Sequence, residues 1–304
     1  MINILLALLT IFFIILIGIL PFRVMYLFSD LMYFVLFKVI GYRREVIAGN
    51  LKRAFPGSDE QEMNLLLGKV YKNLTDIIIE GIKSFTMGRR QILKRHRIKN
   101  PEIIEQSRAQ NRSIIGVTSH YCNWEWGSLS ASLQTDYNVV AFYKPLSNRW
   151  VDKFLRWSRS RYGTTLASIF ETSSTFEKNR NQPTIFLMAA DQSPSKREAG
   201  KAYWVDFLGI RTAFLHGPEK HAKLNGHDIV YVDIQRERRG YYSLKLSVLA
   251  ENVGQLPDGE ITRRYAKKLE SIIRQNPANW LWSHKRWKLG GHNGRKDIGG
   301  GILS

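Results

Sequence analysis

Residues 118–128, TSHYCNWEWGS, gather several side chains capable of chemistry within one short segment. His120 and Glu125 stand five positions apart, and the chain's only cysteine, Cys122, lies between them. A histidine, with an ordinary pKa of about 6.5, is suited to removing a proton from a hydroxyl near neutral pH. A carboxylate on one ring nitrogen fixes the tautomer and leaves the other nitrogen free to act. The segment therefore predicts a general base, His120, oriented by Glu125.

Spacing alone leaves other interpretations of this segment open. His120 could be a polar residue at a strand end, and Glu125 an exposed residue of a first helical turn, where the helix dipole favours a carboxylate. Cys122 and His120 could instead form a thiol nucleophile and its base. Trp124 and Trp126 are predicted to be packing or interfacial residues.

Apolar runs that alternate with helix-like segments surround this stretch and would position it. The predicted strands are residues 113–118, 138–143 and 184–189, followed by DIVYVDIQ and YSLKLSVL on either side of the linker RERRGY. This alternation predicts an α/β fold with a central, mostly parallel, buried sheet flanked by helices. His120 then follows the carboxyl end of a strand, where open α/β sheets bind ligands.

The first residues of the chain are almost entirely apolar. No charged side chain occurs in residues 1–22, and about 20 such residues cross a bilayer core. A basic leader and a small-residue cleavage site are not evident, so this segment is predicted to be a retained membrane anchor. The nearest basic residues follow it, which predicts that the rest of the chain faces the cytoplasm. A second apolar run, residues 24–42, is predicted to lie at the interface or to pack, with a second span as the alternative.

The predicted organisation has three parts. Residues 1–22 form the anchor, residues 23–110 a membrane-associated helical layer, and residues 111–304 an α/β core. Apolar residues recur at helical spacing in residues 44–110, which favours one domain composed of that segment and the core.

The charge balance indicates a polyanionic partner. Lys and Arg number 45 against 26 Asp and Glu, a formal net charge of +19. Such a charge attracts nucleic acid or an anionic lipid surface, but no recognisable nucleic-acid-binding motif is present. A single cysteine excludes an internal disulfide framework and a multi-cysteine metal site.

The block WLWSHKRWK, residues 280–288, mixes aromatic and basic side chains, which is typical of a membrane interface and equally of a packed helix end.

Several segments, in order along the chain, resemble the bacterial lipid A late acyltransferases, a branch of the lysophospholipid acyltransferase superfamily. His120 and Glu125 match the HxxxxE pattern, for which the wider superfamily has HxxxxD. The other matching segments are residues 139–163, which contain Tyr-x-Pro and Arg161 before Gly163; MAADQ, which contains Asp191; the helix that begins near Gly217 and Pro218; and WLWSHKRWK. With the apolar N-terminus included, the resemblance covers about the whole chain.

The resemblance implies a membrane-associated O-acyltransferase at the cytoplasmic face of the inner membrane. A fatty acyl chain would pass from acyl carrier protein, or from acyl-coenzyme A, to a hydroxyl of a lipid A precursor. His120 would act as base and Glu125 would hold its imidazole. Because the alkoxide would attack the thioester directly, the reaction requires no cofactor, no metal and no acyl-enzyme on Cys122. Another lipid acceptor, or an inactive lipid-binding relative, is the alternative.

Five further residues are assigned to substrate binding. Arg161 is predicted to bind a phosphate or to stabilise oxyanion charge, with an ion pair to Asp191 as the alternative. Asp191 is predicted to line the site. Asn123, inside the motif, is predicted to contact substrate, and so are the basic residues Lys144 and Arg159.

Overall fold

The fold is known from a computed structural model, which describes residues 2–290. The α-helices are α1 (Ile2–Ile19), α2 (Phe22–Tyr33), α3 (Arg44–Ala54), α4 (Glu60–Ser84), α5 (Arg89–Arg95), α6 (Glu102–Ala109), α7 (Gly127–Ser130), α8 (Arg149–Ser160), α9 (Thr172–Lys178), α10 (Gly217–Asn225) and α11 (Glu260–Gln275). The strands are β1 (His96–Ile98), β2 (Ile114–Thr118), β3 (Asn138–Tyr143), β4 (Thr165–Ser168), β5 (Thr184–Ala189), β6 (Tyr203–Phe207), β7 (Ile210–Phe214), β8 (Asp228–Arg238) and β9 (Tyr241–Ala250). A π-helical segment, Phe34–Ile40, continues α2.

A seven-stranded sheet runs through the core in the order β1-β9-β8-β2-β5-β3-β4. Its neighbours are parallel except for β8 and β9, which form an antiparallel pair. Four of the five residues of β2, at the centre, are buried, because helices cover both faces of a sheet built from parallel crossovers. The predicted α/β fold with a mostly parallel sheet is therefore confirmed.

Four strands fall where none was predicted. β1 lies inside the segment expected to be helical, and both it and β4 are too short to show a periodic pattern. β6 and β7 form a separate antiparallel hairpin. Its two turn residues, Leu208 and Gly209, have φ angles of 54° and 76°. Leucine is unusual in such a turn, which favours Asn or Asp before Gly, so the sequence signal for a hairpin is missing.

Helix α4 joins the N-terminal helices to the sheet. Its first turn is capped by Asp59, whose side chain accepts a hydrogen bond from the backbone N–H of Glu62. Near its middle, the buried Asp76 accepts hydrogen bonds at 2.5 Å from both Arg236 and Arg239, at the β8–β9 turn. Arg239 also pairs with Asp30 of α2, so this partly buried cluster of opposite charges fixes the β8–β9 hairpin against α4.

The N-terminal helices leave much apolar surface exposed. In α1, Leu5, Leu8, Phe12 and Ile19 are all more than half exposed. Within residues 2–290, no single helix is both long and apolar enough to cross a membrane. Residues Phe22–Ile40 and Arg44–Ala54 meet the length and composition requirement only as a pair bent by 91°. The predicted anchor corresponds to α1 and stays a prediction.

Candidate active site

The parallel pairing of β2 with β5 brings two chemical groups together at the carboxyl edge of the sheet. The register places Thr118, the last residue of β2, beside Ala189, the last residue of β5. His120 and Asp191 each follow two residues later. The backbone N–H of His120 donates to Asp191 Oδ2 at 2.9 Å, and His120 Nδ1 lies 2.6 Å from Asp191 Oδ1. One carboxylate therefore fixes both the backbone and the ring of the histidine.

The C-terminal block holds this pair in place. The indole N–H of Trp280 donates to Asp191 Oδ2 at 2.8 Å. The backbone N–H of Leu281 donates to the carbonyl of His120 at 3.0 Å, so the segment lies along the histidine loop like a short added strand. Trp280 and Trp282 are almost completely buried. This part of the block is packed protein core, but it follows a single 3-10 turn, Pro277–Asn279, and is not a helix end.

The electrostatic environment suits a proton acceptor. Burial alone would lower the pKa of His120, but the charge of Asp191 and the hydrogen bond to it outweigh burial and raise that pKa above its ordinary value. Burial alone would raise the pKa of Asp191, but His120 and Trp280 stabilise its anion and lower that pKa. With an N–H at Nδ1 directed at a carboxylate, Nε2 carries the free lone pair.

The free nitrogen faces a cavity. His120 Nε2 lies 3.2 Å from the side-chain amide nitrogen of Gln192, which can donate to it. The indole of Trp124 packs edge-on against the imidazole, with 5.0 Å between the ring centroids. A hydroxyl that enters from the cavity and replaces the Gln192 amide would be within reach of Nε2.

The cavity has a volume of about 910 Å³. Its mouth is defined by the lining polar residues that are exposed or half-buried, and its interior by aliphatic residues that are mostly buried. Around the mouth lie His120, Glu125, Lys144, Arg159 and Gln192. The interior is lined mainly by aliphatic side chains: Ile98, Ile104, Ile114, Ile185, Val230 and Leu246. Such a shape accepts a long apolar chain with a polar end near His120.

A glycine in the central strand keeps this interior open. Gly116 lines the cavity, and a Cβ added there would lie only 2.8 Å from Leu187 Cδ2 on the neighbouring strand β5. Any larger residue would displace Leu187 or extend into the cavity.

The predicted contact between His120 and Glu125 is corrected by this geometry. The carboxylate hydrogen-bonded to the ring is Asp191, whereas Glu125 accepts a hydrogen bond from the guanidinium of Arg159. Glu125 lies in a 3-10 turn whose start is capped by Asn123, and this turn directs its side chain across the cavity mouth toward α8. Its charge still contributes to raising the pKa of His120.

Two residues predicted to bind substrate are found in structural roles. The guanidinium of Arg161 donates to the backbone carbonyls of Ser84, Phe85 and Met87 at 2.6–3.2 Å, so it caps the C-terminal end of α4. It pairs neither with Asp191 nor with the cavity groups, because the carbonyls left free at a helix end hold it.

Asn123 is buried beneath the loop. Its amide donates to Glu80 Oε2 at 2.6 Å, and its carbonyl oxygen accepts from the backbone N–H of Trp126. Lys144 and Arg159, in contrast, line the cavity beside His120, and their contact with substrate stays a prediction.

Cys122 is completely buried, with its backbone in the left-handed region at φ 51°. Burial raises the pKa of its thiol far above the ordinary value, which keeps it a thiol and a poor nucleophile. The geometry therefore does not favour a Cys/His pair.

Sequence reasoning missed Trp280 and Gln192 as neighbours of His120, and Glu80 as a support of its loop. Gln192 follows Asp191 directly, so its place beside the predicted site was available from the sequence. Trp280 lies in a block whose composition indicated a membrane interface or a packed helix end, and Glu80 lies in a segment predicted only to be helical; their hydrogen-bond partners are 89 and 43 residues away.

Comparison with known proteins identifies the family. The family model described as bacterial lipid A biosynthesis acyltransferase matches residues 1–289. The chain is 22% identical over 248 residues to the lipid A biosynthesis lauroyltransferase of Escherichia coli (strain K12), with 81% of this chain and 79% of that relative covered. The palmitoleoyltransferase of the same strain is 21% identical over the same shares of the two chains. The lipid A biosynthesis acyltransferase of Haemophilus influenzae is 23% identical over 77% of this chain and 72% of its own. The chain therefore belongs to the bacterial lipid A biosynthesis acyltransferase family.

Proposed function

We propose that this family member transfers a fatty acyl group from a thioester on acyl carrier protein to a hydroxyl of a lipid A precursor. The observation that carries the proposal is the His120–Asp191 pair, whose free nitrogen faces the mouth of a largely apolar cavity. An acyl chain fits the apolar interior, and a thioester carbonyl at its end would then lie at the mouth. Two relatives are named for the fatty acyl group that they transfer, lauroyl and palmitoleoyl, which supports a fatty acyl group as the one transferred here.

In the proposed reaction, His120 Nε2 removes the proton of the acceptor hydroxyl. The resulting alkoxide oxygen bonds to the thioester carbonyl carbon and forms a tetrahedral oxyanion. The C–S bond then breaks, and the thiolate takes the proton from the imidazolium to leave as a thiol. Asp191 stabilises the imidazolium, which is the charged state that forms between the two proton transfers.

The basic residues at the mouth have separate proposed roles. Arg159, fixed by Glu125, is placed to stabilise the oxyanion or a phosphate of the acceptor. Lys144, exposed at the same mouth, supplies a second positive charge. Glu125 thus acts by positioning Arg159 and by adding its charge to the field at His120. The apolar surface of α1 is proposed to hold this site at the cytoplasmic face of the inner membrane.

The test is acyl transfer by the purified protein from labelled acyl carrier protein to a lipid A precursor, with the product identified by mass spectrometry. We expect an acylated lipid A precursor with wild type, and its loss with His120→Ala. Acyl-coenzyme A as donor, and a lysophospholipid as acceptor, are the matched controls. Transfer to the lysophospholipid alone would reject the lipid A precursor as acceptor, and transfer to no acceptor would reject the proposed activity.

A further inference from the structure

The outward face of helix α8 combines exposed aromatic and basic side chains beside the cavity mouth. Trp150 and Trp157 are 41% and 56% exposed. Arg149, Lys153 and Arg156 are exposed on the same helix. The lone carboxylate of α8, Asp152, is only partly exposed and accepts hydrogen bonds from the backbone N–H of Leu146 and the hydroxyl of Tyr143. Every side chain of α8 that is exposed, rather than partly exposed, is therefore basic or aromatic.

These side chains are sorted along the helix. An α-helix turns by roughly 100° per residue, so Trp150, Phe154 and Trp157 share one edge of the exposed face. Arg149, Lys153 and Arg156 share the adjacent edge by the same geometry. The basic edge lies toward Arg159, whose side chain reaches the cavity mouth. The aromatic edge therefore lies farther from the mouth than the basic edge.

The aromatic edge continues the apolar surface of α1. The ring of Phe154 stacks on Phe85, the residue that follows α4, with 4.8 Å between centroids, and Trp157 stacks on Phe154 at 5.6 Å. The next residue, Thr86, donates a hydrogen bond to the carbonyl of Gly18, near the end of α1. Helix α8 also packs directly against α1. An apolar helix, an aromatic edge and a basic edge thus follow one another toward the cavity mouth.

We propose that the outward face of α8 docks on an anionic lipid bilayer and sets the cavity mouth at the level of the head groups. Tryptophan is favoured at the boundary between hydrocarbon and head groups, and basic side chains are favoured at the anionic surface just outside it. The order of the three surfaces matches the order of these layers. This proposal rests on the proposed function, since it explains how a lipid acceptor reaches His120 without leaving the membrane.

An acidic protein could also use a basic face, but the two exposed tryptophans and their continuity with α1 favour the bilayer. The surface consists of residues outside the proposed catalytic pair. Substitutions there change how the protein lies on the membrane and leave His120 and Asp191 in place.

Site-directed fluorescence on the full-length chain tests this docking. Cys122 is buried and is the only native cysteine, so a polarity-sensitive dye can be attached at Trp157→Cys. The matched control is Arg180→Cys, because the Arg180 side chain is 71% exposed and follows α9 near the amino ends of the strands. Each labelled protein is reconstituted in vesicles of phosphatidylcholine and phosphatidylglycerol that carry a nitroxide quencher near the head groups.

We expect a blue shift and strong quenching at position 157, and neither at position 180. Arg149→Gln, Lys153→Gln and Arg156→Gln together should weaken the preference of this face for phosphatidylglycerol, by up to about fivefold for each charge removed. Equal quenching at both positions would overturn the proposal. So would a dye at position 157 that responds to added acyl carrier protein but not to vesicles, which would assign this face to the acidic protein.

Docking and catalysis fail separately in this design, because quenching is measured without substrate. Quenching at position 157 without acyl transfer would keep the docking surface and reject the proposed function. Acyl transfer with position 157 unquenched would reject the docking surface alone.

Discussion

Two buried carboxylates hold opposite ends of residues 120–126, and they differ in what they contact. Asp191 contacts His120, the first residue of this segment. It accepts a hydrogen bond from the backbone N–H of His120 and lies 2.6 Å from Nδ1 of its imidazole. The imidazole of His120 can gain or lose a proton, and its Nε2 faces the cavity. A change of protonation at this end can therefore be transmitted to a bound molecule.

Glu80, on α4, holds the second half of the same segment through hydrogen bonds with Asn123 and Trp126. It accepts from the amide of Asn123 at 2.6 Å and from the hydroxyls of Tyr26 and Tyr242, each at 2.7 Å. Its backbone carbonyl accepts from the indole of Trp126 at 2.9 Å. The donors come from α2, β9 and the histidine loop, so Glu80 joins three parts of the fold.

The pKa values of the two acids shift in opposite directions. Burial raises the pKa of Glu80, and its hydrogen-bond donors together with the charge of Arg236 offset this only in part. At Asp191, the histidine outweighs burial and the pKa is lowered. Equal burial of the same functional group thus gives a structural contact in one place and, in the proposed mechanism, half of a proton-transfer pair in the other. The partner and the access to a cavity make the difference.

The largest expected difference between the Asp191 and Glu80 ends of the segment comes from removing the imidazole of His120. His120→Ala should lower the rate of acyl transfer by about 10²–10⁴-fold, because it removes the general base. The melting temperature should also fall, because the buried Asp191 loses the imidazole as its partner, although the backbone N–H of residue 120 and the indole of Trp280 still donate to it. The measurement is kcat/KM on purified protein together with thermal unfolding. A variant that keeps full turnover would take His120 out of the reaction.

Glu80→Gln is the corresponding substitution at the Asn123–Trp126 end of the segment. The amide would face donors with one fewer acceptor oxygen, so we expect a loss of about 1–3 kcal/mol in the free energy of unfolding. Denaturant unfolding measures this loss. Turnover per folded molecule should stay within about tenfold of wild type, a difference of about 1.4 kcal/mol in activation free energy. A drop in turnover as large as that of His120→Ala, with unchanged stability, would erase the distinction between the two carboxylates.

A pair of arginines on α8 and just after it extends the contrast to the cationic side chains. Arg159→Gln should lower kcat/KM by about tenfold or more, because it removes a charge-assisted donor at the cavity mouth. Arg161→Gln should instead cost about 1–2 kcal/mol of stability, because it uncaps the end of α4. Steady-state kinetics and unfolding of the two variants, side by side, separate these effects. A lower kcat/KM with unchanged stability in Arg161→Gln, together with lower stability and unchanged kcat/KM in Arg159→Gln, would show that Arg161 binds substrate.

The smallest effect is expected for the buried thiol beside the base. Cys122→Ser should leave the rate within a few-fold of wild type, since direct attack by the acceptor forms no bond to this sulfur. Intact-protein mass spectrometry after mixing with the acyl donor should show no acyl adduct on wild type. A trapped adduct that Cys122→Ser abolishes, along with turnover, would replace direct attack with a covalent mechanism.

The sequence predicted those features that depend on neighbours along the chain. The strands at 113–118, 138–143 and 184–189 were found where apolar runs indicated them, and their parallel pairing follows from the helices between them. The position of His120 just after a strand end was predicted in the same way. The partner of the histidine was not, because Asp191 reaches it through strand register across 71 residues. The roles of Glu80 and Arg161 likewise depend on contacts between distant segments that periodicity does not encode.

The dependence of kcat/KM on pH in wild type and Asp191→Asn tests the His120–Asp191 pair most directly. His120 must be neutral to accept a proton, and Asp191 raises its pKa above the ordinary value. Wild-type activity should therefore rise with pH through an ionisation above about 6.5 and level off beyond it. In Asp191→Asn, burial remains and the larger raising charge is gone, with only the smaller effect of Glu125 left, so the rise should move to lower pH and the plateau should fall by about 10²-fold or more. An unchanged midpoint with an unchanged plateau would contradict the assignment of Asp191 as the partner of the base.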